Sequence, residues 1–362
     1  NLEEADSDTR TRLRRLDALV QLAHEHGLMY LFQDNFRLQL ARDEPDELAA
    51  RMKVLSMLAE RYRPAKGFVF NSDHQEFLRG RNPHSHEAFR RFLKEKYGTF
   101  ERLRDAWETV DAQGFEDIRL DEGAARRAPW NSVMARDTGA FLDTYREAWR
   151  LHHAQGVHNG NEDAIVSQDF SLYWWPDFRW PQSQVMSRLD MVSSHFYGHE
   201  GGFPIRMKRT DMQVIGKPMG MTEFGTLTHP AWQGHRDARL THDRAEGFFL
   251  RTTHYVFGLG GTMMSNWNWK EMKECIFPWS IAYHDLVPKP QMVAYRNAAL
   301  FFSAFEPVYE PPRLYVVVPT RNLQTGRFRQ VEDALTGLVD RLLGARVPFG
   351  LIGESYLERL PE

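Results

Sequence analysis

The sequence predicts an α/β protein built as a (β/α)8 TIM barrel, followed by the start of a second α/β unit. Apolar residues alternate between helical and strand spacing, and most of the short apolar strands are followed by an amphipathic helix. Strand followed by helix, repeated, indicates parallel strands joined by helical crossovers. A doubly wound open sheet is the competing fold. Polar and aromatic residues gather where the strands end, which favours the barrel because barrel enzymes build their sites at that face.

The predicted strands are short and apolar, and they span residues 28–32, 67–70, 164–166, 191–196, 217–224 and 261–267. The predicted helices carry apolar residues on one face, and they span residues 12–26, 47–62, 86–107, 138–153, 243–257 and 291–302. Gly27 is expected to end the first helix. A barrel needs eight strands. Since the chain opens on a helix, we expect two strands to be missing from its N-terminal end.

The composition changes after Glu306. Residues 310–312 (Glu-Pro-Pro) resemble a linker, and residues 314–318 form a strongly apolar strand. An amphipathic helix over 331–343 and a strand over 347–352 follow. We therefore expect residues 1–306 to form the barrel, incomplete at its N-terminus, and residues 307–362 to begin a second α/β domain.

Bulk composition excludes several classes of function. The net charge is −3, so nothing indicates a nucleic-acid partner, which usually meets a basic face. No apolar run approaches the roughly 18 residues that span a bilayer, so no membrane association is expected. The single cysteine, Cys275, fits a reducing compartment, and we expect a cytoplasmic location. The glycines between Gly258 and Gly261 follow a helix rather than a strand, so a dinucleotide loop is not predicted. We expect no cofactor.

Glu223 ends a predicted buried strand, where a carboxylate is costly unless it has a partner or a chemical role. A salt-bridged rim residue is the alternative interpretation. Cleaving a glycosidic bond with retention requires two carboxyl groups about 5 Å apart, one as nucleophile and one as proton donor. Glu223 is the expected nucleophile. Glu76 follows a second strand and is the expected proton donor, with Asp73 as its rival three residues earlier.

Other candidates follow the same strand ends. His195 and Tyr197 share a strand face by period two, and both are expected to contact the sugar. A tyrosine hydroxyl there can also orient the nucleophile. Trp267 and Trp269 are candidates for an aromatic platform under a sugar ring. Polar residues expected to bind substrate at further strand ends are Asp34, Asp73, Gln75 and Asp169. The 15 histidines form no recognised metal-binding spacing, so a metal-dependent barrel hydrolase is a lesser alternative.

These segments resemble clan A glycoside hydrolases, and most closely the family 42 β-galactosidases. Residues 89–99 resemble the stretch after that family's acid/base, residues 219–223 its nucleophile strand, and residues 260–267 its eighth strand. The tail from Leu314 resembles the α/β domain that follows the barrel and assists trimer formation. The resemblance implies retaining hydrolysis of β-glycosides, with β-galactosides the expected class. It also implies an oligo- or polysaccharide substrate and a homotrimer.

Three features depart from the family. The clan has Asn directly before the acid/base, where this chain has Gln75. The pattern of His195 and Tyr197 resembles other clan A families more than family 42. A cysteine cluster for zinc, found in some members, is excluded because Cys275 is alone. A sugar-binding barrel without catalysis, or an inactive fragment, is therefore an alternative reading of the same residues.

Overall fold

The computed structural model describes residues 6–34, 45–72, 83–108, 110–129, 131–170, 189–196, 218–225, 242–273, 279–305, 308–310, 312–319 and 326–359. Its central feature is a sheet of six parallel strands that lie side by side in chain order. The strands are β1 (Tyr30–Asp34), β2 (Phe68–Ser72), β3 (Ile165–Phe170), β4 (Met191–Phe196), β5 (Met219–Phe224) and β6 (Gly261–Asn266).

Helices accompany these strands. They are α1 (Ser7–Glu25), α2 (Pro45–Arg61), α3 (Pro83–Tyr97), α4 (Phe100–Trp107), α5 (Glu122–Arg127), α6 (Val133–Gly160), α7 (His242–Gly258) and α8 (Pro290–Ala304). A short 3₁₀ turn, Phe115–Asp117, lies between α4 and α5. The order of strands and the parallel pairing agree with the prediction from the sequence.

The sheet is curled into the wall of a barrel. Strands β1 and β5 are separated by three others, so in a flat sheet they would lie roughly 19 Å apart at the usual strand spacing. The side-chain amide of Gln33 on β1 nevertheless donates to Oε1 of Glu223 on β5 at 3.0 Å. Such a contact requires the two strands to face each other across an interior. This confirms the predicted barrel fold class.

The outer face of the sheet packs against the helices. Phe70, Val166, Val192 and Met221 point to this side and share one apolar core with buried residues of α1, α2, α6, α7 and α8. Alternate residues of the same strands therefore point inward, since successive side chains of a strand lie on opposite faces.

The inner face includes a buried polar layer, where most barrels are filled with branched apolar residues. Asn71, Ser167 and Ser193 are fully buried there. The hydroxyls of Ser167 and Ser193 are 3.1 Å apart, and the Ser193 hydroxyl donates to Oδ1 of Asn71 at 3.4 Å. These bonds satisfy groups that would otherwise be costly to bury.

Several predicted elements have other bounds in the structure. For example, α6 is longer at both ends than the helix predicted over 138–153. The helix predicted over 86–107 is wrong as one element, because α3 and α4 are separate: Gly98 has φ +74° and Thr99 caps α4 by accepting from the backbone N–H of Arg102 at 3.4 Å. The strand predicted from Leu28 begins at Tyr30 instead, and Leu28 is exposed. Gly27, with φ +64°, follows α1 as predicted.

Beyond the barrel, β7 (Tyr315–Val318) and β8 (Gly350–Gly353) pair in parallel across helix α9 (Phe328–Gly344). A 3₁₀ turn, Glu354–Arg359, follows β8. These elements have an apolar cluster of their own, which includes Val318, Val339 and Leu351. Within the described part of the chain, no helix is long and apolar enough to cross a membrane.

Candidate active site

Strand β5 carries a β-bulge immediately before its end. Ser194 and His195 are consecutive on β4, yet they pair with Met221 and Glu223 on β5. Strand β5 therefore holds one extra residue at this point. Along its other edge, β5 pairs with β6, where Met221 faces Met264 and Phe224 faces Asn266. Three residue steps on β5 therefore correspond to two on β6. Bulges recur at barrel rims and beside active sites, where they re-aim a side chain.

The bulge decides where Glu223 points. Met219 and Met221 belong to the core between sheet and helices, so strict alternation would send Glu223 to the same side. The extra residue reverses this. Phe224 takes the helix side instead, with its ring 5.1 Å from that of Phe249 and 6.1 Å from that of Phe248 on α7. Glu223 is thereby directed into the barrel interior.

The carboxylate of Glu223 is held at both oxygens. Gln33 donates its amide to Oε1 at 3.0 Å, and Nδ1 of His195 lies 3.0 Å from Oε2. Glu223 is only 6% exposed and His195 only 1%. A carboxylate accepts and does not donate, so the amide N–H₂ of Gln33 and a protonated Nδ1 of His195 satisfy it. The site thus contains a buried carboxylate fixed in one orientation.

Two tryptophans follow β6 at the same end of the barrel. Trp267 is 39% exposed and Trp269 56% exposed. The backbone N–H of Trp267 donates to the carbonyl of Phe224 at 2.7 Å, so this segment is attached directly to the end of β5. The peptide bond between Trp267 and Asn268 is cis. Exposed indoles on a segment bonded to the carboxylate strand are suited to contact a sugar ring.

A loop that includes residues 280–282 is hydrogen-bonded to this tryptophan segment. The backbone carbonyl of Asn268 accepts from Ile281, and that of Trp269 accepts from Ala282. The Ser280 hydroxyl donates to Oδ1 of Asn268 at 2.6 Å. These bonds fix the backbone of residues 267–269 while leaving the two indoles exposed.

Glycine is required where this loop meets β5. A Cβ atom on Gly225 would lie 2.7 Å from Cβ of Trp279 and 3.0 Å from the carbonyl oxygen of Trp267. The first of these distances is shorter than Cβ atoms show, and the second is tighter than nine in ten Cβ contacts. Gly225 therefore permits the loop to pack directly behind the tip of the carboxylate strand.

A buried ion pair anchors the far end of the same loop. Nζ of Lys289 lies 2.6 Å from Oε1 of Glu271, and neither side chain is more than 4% exposed. Burial lowers the pKa of Lys289, and its contact with Glu271 partly opposes that effect. The pair ties the segment after Trp269 to the N-terminal end of α8, where Lys289 is the cap residue.

The remaining predicted site residues lie at the same edge of the sheet or outside the described residues. Asp34 is the last residue of β1, and Asp169 is the next-to-last residue of β3. Glu76, Gln75, Asp73 and Tyr197 fall outside the described residues, and the strands that precede them end at Ser72 and Phe196. Their predicted roles stay predictions. The structure brings His195 to the carboxylate of Glu223, whereas the sequence suggested a contact with sugar.

Gln33 was not predicted as a site residue. The sequence predicts its neighbour Asp34 instead, because carboxylates take part in catalysis more often than amides. The signal for Gln33 lies in strand parity: Tyr30 and Phe32 pack on the outer core, so Leu31 and Gln33 face inward. Within the described ranges, no group of three His, Cys, Asp or Glu residues is placed to hold a metal ion.

Neither a protein-family model nor a curated protein matches the sequence, but solved structures match the fold. A β-galactosidase from Halorubrum lacusprofundi matches with a TM-score of 0.72 and 15% identity, covering 94% of this chain and 59% of that one. A GH42 β-galactosidase from G. stearothermophilus matches with a TM-score of 0.69 and 12% identity, covering 94% and 58%. A GH5_18 protein from Streptomyces cattleya in complex with GlcNAc matches with a TM-score of 0.59 and 12% identity, covering 96% and 80%.

The chain thus has the barrel fold of these glycoside hydrolases, and the resemblance inferred from the sequence is confirmed at the level of fold. The chain spans between 48% and 62% of the length of the β-galactosidases it matches.

Proposed function

We propose that this protein hydrolyses β-glycosides with retention of configuration, and that β-galactosides are its substrate class. Glu223 is the nucleophile and Glu76 is the acid and then the base. The observation that carries the proposal is the buried carboxylate of Glu223, aimed inward by a bulge and held at both oxygens by Gln33 and His195. An exposed tryptophan segment adjoins it.

The proposed chemistry has two displacements. In the first, an electron pair on a Glu223 carboxylate oxygen forms a bond to the anomeric carbon. The bond to the leaving oxygen breaks, and that oxygen takes a proton from Glu76. In the second, Glu76 removes a proton from water, the water oxygen attacks the anomeric carbon, and the ester bond to Glu223 breaks. Both carboxyl groups return to their starting states.

The buried setting of Glu223 supports a nucleophilic role. A carboxylate with two fixed hydrogen-bond partners pays little reorganisation cost when it attacks, because its orientation is already set. A structural carboxylate would need the same partners but not an exposed aromatic surface beside it. The solved structures named as β-galactosidases favour galactosides among the β-glycosides.

Replacement of the nucleophile tests the proposal. Glu223→Gln keeps the size of the side chain and removes its charge, so turnover of an aryl β-galactoside is expected to fall by roughly 10³-fold or more, as for other essential nucleophiles. The matched control is Glu246→Gln, the same change at an exposed position on α7, which is expected to turn over normally. Unchanged activity in Glu223→Gln would contradict the assignment.

Small nucleophiles separate the roles of the two carboxyl groups. Azide added to Glu223→Ala is expected to enter the vacated space and yield the α-glycosyl azide by one inversion. Azide added to Glu76→Ala is expected to yield the β-glycosyl azide, because it intercepts the covalent intermediate. Binding of galactosides without turnover by the unmodified protein would support the reading of a sugar-binding barrel instead.

A further inference from the structure

We infer that Gln33 is a positioning residue for the nucleophile, acting across the barrel mouth on Oε1 of Glu223. The inference rests on the proposed function and extends it to a residue on a strand that does not adjoin β5. The amide of Gln33 reaches the carboxylate at 3.0 Å, although four strand spacings separate β1 from β5 along the sheet.

The orientation of the amide follows from the chemistry of its partner. An ionised carboxylate has acceptor lone pairs and no proton to give, so the N–H₂ end of Gln33 must face it. Gln33 therefore adds a donor and no charge. A lysine or arginine in its place would attract the carboxylate more strongly and weaken it as a nucleophile, whereas a neutral amide orients the carboxylate at a smaller cost in nucleophilicity.

The two donors act from opposite sides. His195 is on β4, directly beside Glu223 in the sheet, and it meets Oε2. Gln33 meets Oε1 from the facing wall. A single donor leaves the carboxyl plane able to rotate about its terminal bond, but two donors on different oxygens define that plane. The plane determines which lone pair points to the anomeric carbon.

A purely structural role for the same bond predicts a different result. If Gln33 only tied β1 to β5, its loss would lower stability and leave the chemistry of the folded protein unchanged. If Gln33 positions the nucleophile, the folded protein would bind substrate normally and react slowly. Kinetics on the folded protein distinguish the two roles.

The test uses Gln33→Met, which keeps the length of the side chain and removes the donor, and Gln33→Asn, which keeps the amide and shortens its reach. For both, kcat on an aryl β-galactoside and the rate of inactivation by an activated 2-deoxy-2-fluoro-β-galactoside are expected to fall about 10- to 100-fold, the usual effect of losing a hydrogen bond to a charged group. KM and the inactivator's binding constant are expected to change less than about threefold, because ground-state binding is retained.

The matched control is Gln155→Met on α6, where the amide donates within the helix to Asn159; kcat is expected to be unchanged. Either Gln33 variant with kcat and inactivation rate within twofold of the parent protein would overturn the inference.

If neither variant folds, the crystal structure of the parent protein trapped with the fluoro-sugar provides the test. Nε2 of Gln33 within 3.5 Å of a Glu223 oxygen is expected, and a separation beyond 4 Å would overturn the inference. If Glu223→Gln is fully active, the proposed function itself fails; if it is inactive while the Gln33 variants are normal, only this inference fails.

Discussion

Nδ1 of His195 lies 3.0 Å from Oε2 of Glu223, and the two residues are register partners on neighbouring strands. Both side chains are buried, so the contact is shielded from solvent and is stronger than the same pair would be in water. The proton must be on Nδ1 for the imidazole to donate to the carboxylate. His195 thus acts on the oxygen that Gln33 does not reach.

Removing this donor is expected to slow catalysis. In His195→Phe the ring volume is kept but Oε2 loses this contact, and kcat/KM is expected to fall by roughly 10²-fold. In His195→Asn the side-chain amide nitrogen occupies the region of Nδ1, so we expect much of the activity to be retained. Steady-state assays with an aryl β-galactoside measure both variants. Full activity in His195→Phe would show that the contact has no catalytic role.

Phe224 is expected to couple stability to activity. Its ring anchors the bulged end of β5 against Phe248 and Phe249, and it is fully buried. Phe224→Ala should therefore lower the free energy of unfolding by about 3–5 kcal/mol and also lower kcat, because the carboxylate strand loses its anchor.

The control for this variant is Phe89→Ala, which removes an equally buried ring from the separate cluster formed by α3, α4 and α6. We expect a similar loss of stability with kcat unchanged. Chemical denaturation gives the free energies, and assays at a temperature where both variants are folded give kcat. Equal kcat in the two variants would contradict the role of the anchor.

The ion pair of Lys289 and Glu271 is expected to show strong coupling. Lys289→Met alone leaves the buried carboxylate of Glu271 without this cation, and breaking a buried pair in this way costs about 3–5 kcal/mol. The double variant Glu271→Leu with Lys289→Met removes both charges and should recover most of that loss. Denaturant unfolding of the single and double variants measures the coupling. Additive effects would contradict it.

The contact between α1 and α2 provides a pH-dependent test of stability. The guanidinium of Arg61 donates to both carboxylate oxygens of Asp17 at 2.7 and 2.6 Å, and the Tyr62 hydroxyl donates to the same carboxylate at 3.0 Å. The hydrogen bonds from Arg61, and secondarily that from Tyr62, lower the pKa of Asp17 below its ordinary value of 3.8. The folded state therefore favours the ionised form.

A lowered pKa of this kind stabilises the fold above the ordinary pKa and loses its effect as the pH falls through the folded-state value. Asp17→Asn is thus expected to lower the free energy of unfolding by about 0.5–1 kcal/mol at pH 7, since the pair is partly exposed. The difference from the parent protein should be constant above about pH 5 and shrink below about pH 4. A difference that grows on acidification would contradict this origin.

Much of the fold follows from pattern alone, and the reason is physical. Six apolar strands with intervening amphipathic helices leave few arrangements, and the structure has the strands in that order. The pattern could not show the break at Gly98 and Thr99, because the apolar spacing of α3 and α4 continues across it. The start of α4 is set there by the Thr99 cap and not by the apolar periodicity.

The site was harder to predict than the fold. Glu223 was identified by its position at the end of an apolar strand, yet alternation from Met219 and Met221 places it on the wrong side. The bulge that corrects this depends on register with two neighbouring strands, which is a property of pairing and not of one segment. The contact with Gln33 likewise depends on curvature of the whole sheet. Both features require the tertiary structure.

The most direct test of the central claim is covalent capture of the nucleophile. A 2-deoxy-2-fluoro-β-galactoside with a good leaving group slows the second displacement more than it slows departure of the leaving group, so the glycosyl-enzyme accumulates. We expect the protein to gain the mass of one fluoro-sugar and peptide mapping to place it on Glu223. Attachment to another carboxylate, or steady turnover of aryl β-galactosides with inversion of configuration and no adduct, would contradict the account.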